Sequence, residues 1–310
     1  MARKSPFIIP PVSIPLTGAL ALLGRTVGLG VERPSIKALG KGRDSIAATT
    51  VYFGLGELLL LPLVAWQWAT PPGYAADIGA WILPALASGA IYAVAFNTYV
   101  WGMSIGEVSY LSPLYASMFV FLYAMDLLAG NAKFGLLPAA GVAAVALGVI
   151  LLQIEPGRRV LEILNPLNVL RRPGAVGMLI YAFGLALGRI IDKSAADVAP
   201  PVLYAFVDNA PCVIAGIAIL AFRGRAGLIA RLARERFWIA AIGAFAGMYA
   251  YVLMLVALDF FPPSVVEPVT QMSVFIAIAL GGIWFKEPVR ARWLPAALVV
   301  AGAAILMASR

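Results

Sequence analysis

Ten stretches of this 310-residue chain are each apolar over about the length needed to cross a bilayer: residues 14–33, 46–67, 79–102, 107–128, 134–153, 174–192, 201–222, 237–258, 263–285 and 293–308. A hydrocarbon core takes roughly 20 apolar residues per helix. No other feature restricts the fold as much. Lipid offers the backbone no hydrogen-bond partner, so a spanning segment must satisfy its N–H and C=O groups internally, as a helix does. The composition agrees, with 62% hydrophobic and only 12% charged residues, about half the charge of a soluble domain. No hydrophilic stretch is long enough for a separate soluble domain. The sequence predicts an all-α membrane protein with ten transmembrane helices.

The same composition excludes several chemistries. Histidine is absent and cysteine occurs once, as Cys212. That rules out an internal disulfide, histidine metal sites and Ser-His or Cys-His catalysis. No metal and no cofactor is expected. The net charge of +8 reads as basic loops facing the cytoplasm rather than as a nucleic-acid surface. The start, "MARKSPFIIPPVSIP", lacks a small-residue cleavage site, and no removable signal peptide is expected. No G-x-x-x-x-G-K-[ST] loop is present, so ATP is not expected to drive the protein directly.

An internal repeat runs at an offset of about 156 residues. Arg33 and Lys37 match Arg189 and Lys193, Trp81-Ile82 matches Trp238-Ile239, and Tyr92 matches Tyr249. Pro113 matches Pro268, and Leu137-Pro138 matches Leu294-Pro295. Each half, 1–153 and 174–310, holds five spans, with a basic surface connection over 154–173. Five is odd, so the second half must lie upside down relative to the first. This is the inverted-repeat plan of many secondary transporters, whose site lies near the midplane between the repeats.

The closing stretch "VEPVTQMSVFIAIALGGIWFKEPVRARWLPAALVVAGAAIL" resembles EamA-type members of the drug/metabolite transporter superfamily. Their repeats carry a proline early in the fourth helix, an apolar run, a glutamate at its end and a glycine-containing fifth helix. Pro268, Glu287 and Gly302 fill those places. In the first half Pro113 and Gly148 fit, but "AGNAKFG" has no such glutamate. "GLGVERPSIKAL", residues 28–39, looks like the basic end of that family's first helix. The resemblance spans roughly residues 15–308. It implies the fold and a transport role, and hardly touches the substrate.

Lysine and arginine placement sets the orientation. Residues 33–43, 154–173, 223–236 and 286–292 carry sixteen of them; the opposite side, with both termini, carries five. By the positive-inside rule the termini face away from the cytoplasm. The resemblance implies the reverse, since ten-span relatives are often described with termini inside. The loops 154–173 and 223–236 read as amphipathic surface segments.

Ionisable residues inside spans are functional candidates by default. Arg25 and Glu57 lie near the middle of spans 1 and 2, where they form either a structural ion pair or a substrate contact and a proton carrier. Asp208 and Asn209 fall at the corresponding place in span 7, beside Pro211, whose ring frees the carbonyl of Val207. Pro113, Pro211 and Pro268 are expected to kink spans 4, 7 and 9. Around Pro113, Ser112 and Tyr115 share one helical face, and around Pro268, Glu267, Thr270 and Gln271 share another. The expected substrate-binding set is Arg25, Tyr92, Asn97, Ser112, Tyr115, Asn209, Tyr249, Glu267, Thr270 and Gln271, with Tyr251 of lower rank. The expected proton-coupling set is Glu57, Asp208 and Glu267. Glu287 reads as a structural residue holding a helix end.

Taken together, these features predict a non-enzymatic carrier, an exporter of a small metabolite or amphipathic solute. It would work by alternating access in the inner cell membrane, with proton coupling or plain exchange. Its partners would be solute and lipid, with a homodimer left open. The competing readings are a membrane-embedded enzyme on lipid-like substrates and a non-transporting scaffold or sensor.

Overall fold

The structure, a computed structural model, describes residues 16–69, 78–130, 135–152, 166–195, 199–258, 260–261 and 263–308. The sequence readings at the N-terminal 15 residues and at 154–165 lie outside the described residues, as do the side chain of Lys193 and the ring of Pro268. Among the described residues every regular element is helical.

The first half contains α1 (Leu16–Gly40), α2 (Ser45–Ala69), α3 (Ile78–Ile105), α4 (Val108–Leu114), α5 (Ser117–Leu128) and α6 (Leu136–Leu151). A 3-10 turn, Pro166–Arg171, leads to α7 (Ala175–Ala195), α8 (Pro201–Phe222) and the short α9 (Gly227–Glu235). Then come α10 (Phe237–Leu258), α11 (Pro263–Gln271), α12 (Ser273–Phe285), a second 3-10 turn, Arg290–Arg292, and α13 (Trp293–Ala308). Among the described residues, seven helices or end-to-end helix pairs are long and apolar enough to cross a membrane; Leu136–Leu151 and Val269–Phe285 are shorter apolar runs. Large apolar side chains such as Leu58, Trp66, Leu83, Val94 and Ile214 point outward and are more than half exposed. Such faces suit lipid as solvent, and the chain is a helical multi-pass membrane protein.

Two spans expected as single kinked helices are each broken in two. Tyr115 and Ala116 separate α4 from α5, two residues after Pro113, and Met272 separates α11 from α12, four residues after Pro268. At both breaks the backbone tightens to i→i+3 bonding: Ala116 N–H donates to Pro113 C=O at 3.1 Å, and Met272 N–H to Val269 C=O at 3.0 Å. Proline removes a donor and displaces the carbonyl one turn back, so it loosens the turn that precedes each break. By contrast α8 runs unbroken through Pro211. There α3 closes in: a Cβ on Gly89 would stand 2.9 Å from Pro211 Cγ and overlap the carbonyl oxygen of Asp208.

The α1 boundary is a correction to the sequence reading. The apolar count ended span 1 at residue 33 and placed 33–43 in a connection, but α1 continues to Gly40 through Pro34, in line with the reading of 28–39 as the basic end of a first helix. Glu32, Arg33 and Lys37 are therefore buried helix residues.

Helix α3 packs along α7 and α8, α10 packs along α1 and α2, α2 meets α8, and α6 meets α13. The α6–α13 seam is backbone against backbone. A Cβ on Gly141 would sit 3.1 Å from the Gly302 carbonyl oxygen, and one on Gly302 would sit 2.7 Å from that of Gly141. Small residues allow this close approach.

The basic residues converge at one end of the bundle. Asp44 caps α2 by accepting from the N–H groups of Ile46 (2.9 Å) and Ala47 (3.1 Å), a standard use of aspartate at a helix start. Helix α9 lies beneath, with Glu235 bridging Arg43 at 2.8 Å and Arg231 at 2.7 Å. Arg236 donates to the carbonyls of Ala38 and Leu39. Leu232 is buried while most of the charged face of α9 is exposed. That is the amphipathic surface segment expected for 223–236.

Candidate functional site

Helices α1, α2, α3, α7, α8 and α10, with the turn after α4, enclose a cavity of about 140 Å3. One water needs about 10–15 Å3 of such space, so the volume suits roughly ten waters or a small solute. Its walls mix aromatic rings with charge. Tyr52, Phe53, Phe96, Tyr115 and Tyr181 form one side, and Arg25, Glu32, Arg189, Asp192 and Asp208 supply the ionisable groups. The rings lock one another. Tyr181 stacks on Tyr99 at 4.3 Å and meets Phe96 edge-on at 5.0 Å, and Phe96 meets Phe53 at 4.8 Å.

At one end Arg25 is held by the second half. Its Nε donates to Thr270 Oγ1 at 2.9 Å and Nη1 to the Ala250 carbonyl at 3.3 Å; Nη2 lies 3.7 Å from Glu267 Oε1. Arg189 Nη2 approaches the same oxygen at 4.0 Å, and its side chain remains 31% exposed. One carboxylate thus faces two guanidinium groups at ion-contact distances. Glu267 Oε2 and Gln271 Oε1 are enclosed without a hydrogen-bond partner. The sequence expected Glu267 and Thr270 to share a face, and the structure brings both to Arg25. It does not bring Arg25 to Glu57, so the alternative of an Arg25–Glu57 pair is withdrawn.

At the other end two carboxylates are linked through hydroxyls. Asp192 accepts from Tyr92 at 2.6 Å and from Tyr204 at 2.7 Å; Asp208 accepts from Ser88 at 2.7 Å, and Ser88 lies 3.4 Å from Tyr204. These residues come from α3, α7 and α8. Glu32 accepts from Tyr52 at 2.6 Å, and the Arg33 guanidinium lies over the Tyr115 ring at 5.2 Å. Hydroxyl donors of this kind satisfy buried carboxylates without a full counter-charge.

Among the expected site residues, Arg25, Tyr92, Tyr115, Asp208 and Asn209 line the cavity, as does the lower-ranked Tyr251. Others lie elsewhere. Asn97 turns back onto its own helix, donating to Ala93 C=O at 2.7 Å. Tyr249 stacks on Phe245 at 4.4 Å, away from the cavity that its repeat partner Tyr92 faces. Ser112 is fully buried with no partner for its hydroxyl. Both Glu57 oxygens are enclosed beside Asp208 and Asn209, off the cavity wall.

Sequence reasoning did not single out Glu32, Tyr52, Ser88, Tyr181, Asp192 or Tyr204. Asp192 carried a usable signal: it follows Arg189 by three residues, on the same helical face inside an apolar run.

Glu287 lies outside the cavity, at the basic end. Lys37 Nζ donates to its Oε1 at 2.6 Å, as does Val108 N–H at 2.9 Å, while Ser109 N–H donates to Oε2 at 2.8 Å. It holds a helix start, that of α4 in the other half of the chain. Burial opposes its charged form, but the Lys37 bond and the two backbone bonds outweigh that and hold it below the usual carboxylate range. Nearby, Arg292 Nη2 bonds Glu107 at 3.0 Å, and Nη1 reaches the Leu152 carbonyl.

Compared with known proteins, residues 172–309 match the EamA-like transporter family. No curated protein matches the chain. A solved structure described as "Crystal structure of protein" aligns over 94% of this chain and 96% of its own, with a TM-score of 0.48 and 15% identity.

Proposed function

We propose that this chain, whose residues 172–309 match the EamA-like transporter family, is a secondary transporter of a small polar or amphipathic solute. The observation that carries the reading is the charged, aromatic-walled cavity built from both halves of the chain. Ionisable side chains are expensive inside a membrane and are kept where they meet a solute, an ion or one another. Here they converge on a space large enough for a small solute.

The carrier consists of two inverted five-span repeats. The packing supports this: exchanging the halves turns the α3–α7 pair into α10–α1, and α3–α8 into α10–α2. The α2–α8 and α6–α13 pairs map onto themselves. The bonds of Glu287 and Arg292 tie the halves together at the basic end. Alternating access would break these ties to open the cavity toward that side. The positive-inside rule assigns that side to the cytoplasm of the inner cell membrane. Export, driven by protons through Asp208, Glu57 or Glu267 or by exchange, fits this arrangement.

The test is a ligand-stabilisation screen on purified protein, followed by counterflow of each hit in proteoliposomes. The screen is repeated across pH with Glu57→Gln, Asp208→Asn and Glu267→Gln. A hit that moves across the membrane and binds differently to these variants supports the carrier. Hits chemically converted without crossing, or bound equally by all variants at every pH, overturn it.

A further inference from the structure

We infer that the central cavity takes a small aromatic monocarboxylate, and that Arg189 receives its carboxylate. This names the solute of the proposed carrier, and rests on that reading for transport but not for binding. Arg189 stands on the cavity wall with its side chain 31% exposed. Among the described residues its only ion contact is the 4.0 Å approach to Glu267 Oε1, an oxygen that Arg25 also approaches, at 3.7 Å. Both distances are too long for hydrogen bonds. Arg25 spends its Nε and Nη1 on Thr270 and the Ala250 carbonyl. Among the described residues Arg189 spends none of its N–H groups in a hydrogen bond. Its planar fork matches a carboxylate bidentately.

A second cation stands behind the same wall. Arg33 is only 4% exposed, and its Nη1 is enclosed without a hydrogen-bond partner. Its guanidinium lies over the ring of Tyr115, which lines the cavity. The charges of Arg25, Arg33 and Arg189 all act on Tyr115. Two carboxylates oppose these three cations at this end: Glu267, which also acts on Tyr115, and Glu32, which accepts from Tyr52 at 2.6 Å. One positive charge is left over in a poorly screened interior. Such a charge is costly unless an anion meets it.

The rest of the cavity sets the body and the far end of the solute. About 140 Å3 holds roughly ten waters, which limits a solute to about ten non-hydrogen atoms. Tyr52, Phe53, Phe96 and Tyr181 present rings to this space, which favours an aromatic body. Asp192 and Asp208 mark the far end. Both Asp192 oxygens accept tyrosine hydroxyls, whereas Asp208 accepts from Ser88 at 2.7 Å and keeps lone pairs for a further donor. A solute hydroxyl suits that place, and the two acids repel a second carboxylate from it. A hydroxybenzoate has this form.

The experiment measures binding to the full-length chain in detergent, by calorimetry and thermal shift. The probes are p-hydroxybenzoate, p-hydroxybenzyl alcohol and p-hydroxybenzylamine, alike in ring and hydroxyl but anionic, neutral and cationic at the other end. The wild type is expected to bind the benzoate about tenfold more tightly than either of the others, the scale of one charge-assisted hydrogen bond. Arg189→Gln removes that preference, with a ligand-free melting temperature within a few degrees of wild type, and Arg189→Lys keeps part of it. Equal binding of the three probes, binding of none, preference for the amine, or full preference retained in Arg189→Gln overturns the proposal. If Arg189→Gln does not fold, the three probes on the wild type decide alone. Counterflow in proteoliposomes is scored separately. A benzoate that binds but is not carried overturns the carrier reading and leaves this site standing. A different solute carried while the benzoate does not bind overturns this site and leaves the carrier.

Discussion

Lys37 of α1 and Glu287, two residues beyond α12, meet at 2.6 Å although 250 positions separate them in the chain. The same carboxylate takes both backbone bonds offered by the start of α4. One side chain therefore fixes three elements, and its removal leaves a buried ammonium and two unpaired N–H groups. Glu287→Ala is expected to destabilise the fold by about 3–5 kcal/mol, the usual cost of breaking a buried pair from one side. Glu287→Gln, which keeps the acceptor oxygen, should lose less. Thermal unfolding in detergent reads both.

The pH dependence of that contribution has a definite sign. Glu287 is held below the usual carboxylate range in the folded protein, whereas an unfolded glutamate titrates near about 4.3. Its stabilisation is complete above the unfolded value and is lost as pH falls through the lower folded value. The melting-temperature difference between wild type and Glu287→Gln should be constant at neutral pH and shrink below about pH 4. A difference that stays constant down to pH 3 would contradict the assignment.

Arg25 and Glu267 should be energetically coupled. Arg25→Gln alone leaves Glu267 facing Arg189, while Glu267→Gln alone leaves two guanidinium groups close together. The double variant should be more stable than the sum of the single losses implies, with an interaction energy on the order of 0.5–3 kcal/mol. Arg25→Lys should not substitute, because an ammonium cannot reach Thr270, the Ala250 carbonyl and Glu267 together in the fork geometry of a guanidinium.

Gly188 offers a steric test of the cavity wall. A Cβ there would overlap the Tyr92 ring, which is bonded to Asp192. Gly188→Ala should displace the ring and weaken binding of any stabilising solute, with a smaller effect on folding. In Gly188→Ala/Tyr92→Ala the clash is gone, and part of the stability lost in Gly188→Ala should return. Ligand titration by thermal shift separates the two effects.

Topology is open to a direct measurement. A C-terminal reporter active only outside the cytoplasm should be active, and a cytoplasm-only reporter silent. The reverse outcome would place the basic end outside the cell.

The spans and the prolines at their breaks were legible in the sequence because hydrophobic length and a missing N–H act locally. The extent of α1 was not. Counting apolar residues stops at Glu32 and Arg33, yet the helix continues because Tyr52 and Glu287, distant in sequence, satisfy Glu32 and Lys37. The cavity was half legible. Arg25, Asp208 and Glu267 are charges inside apolar runs and stand out. Asp192 gains its meaning only from Tyr92 and Tyr204, which folding brings to it. The repeat also misled: Tyr92 and Tyr249 occupy matching positions, but one faces the cavity and the other stacks on Phe245.

The bare contact between Gly141 and Gly302 has a mechanical consequence. At these two glycines main chain meets main chain, with Leu306 and Val145 packed beside the contact, so the separation of α6 and α13 there is set by the backbone. A methyl group added at either glycine would meet the opposite main chain and wedge the two helices apart.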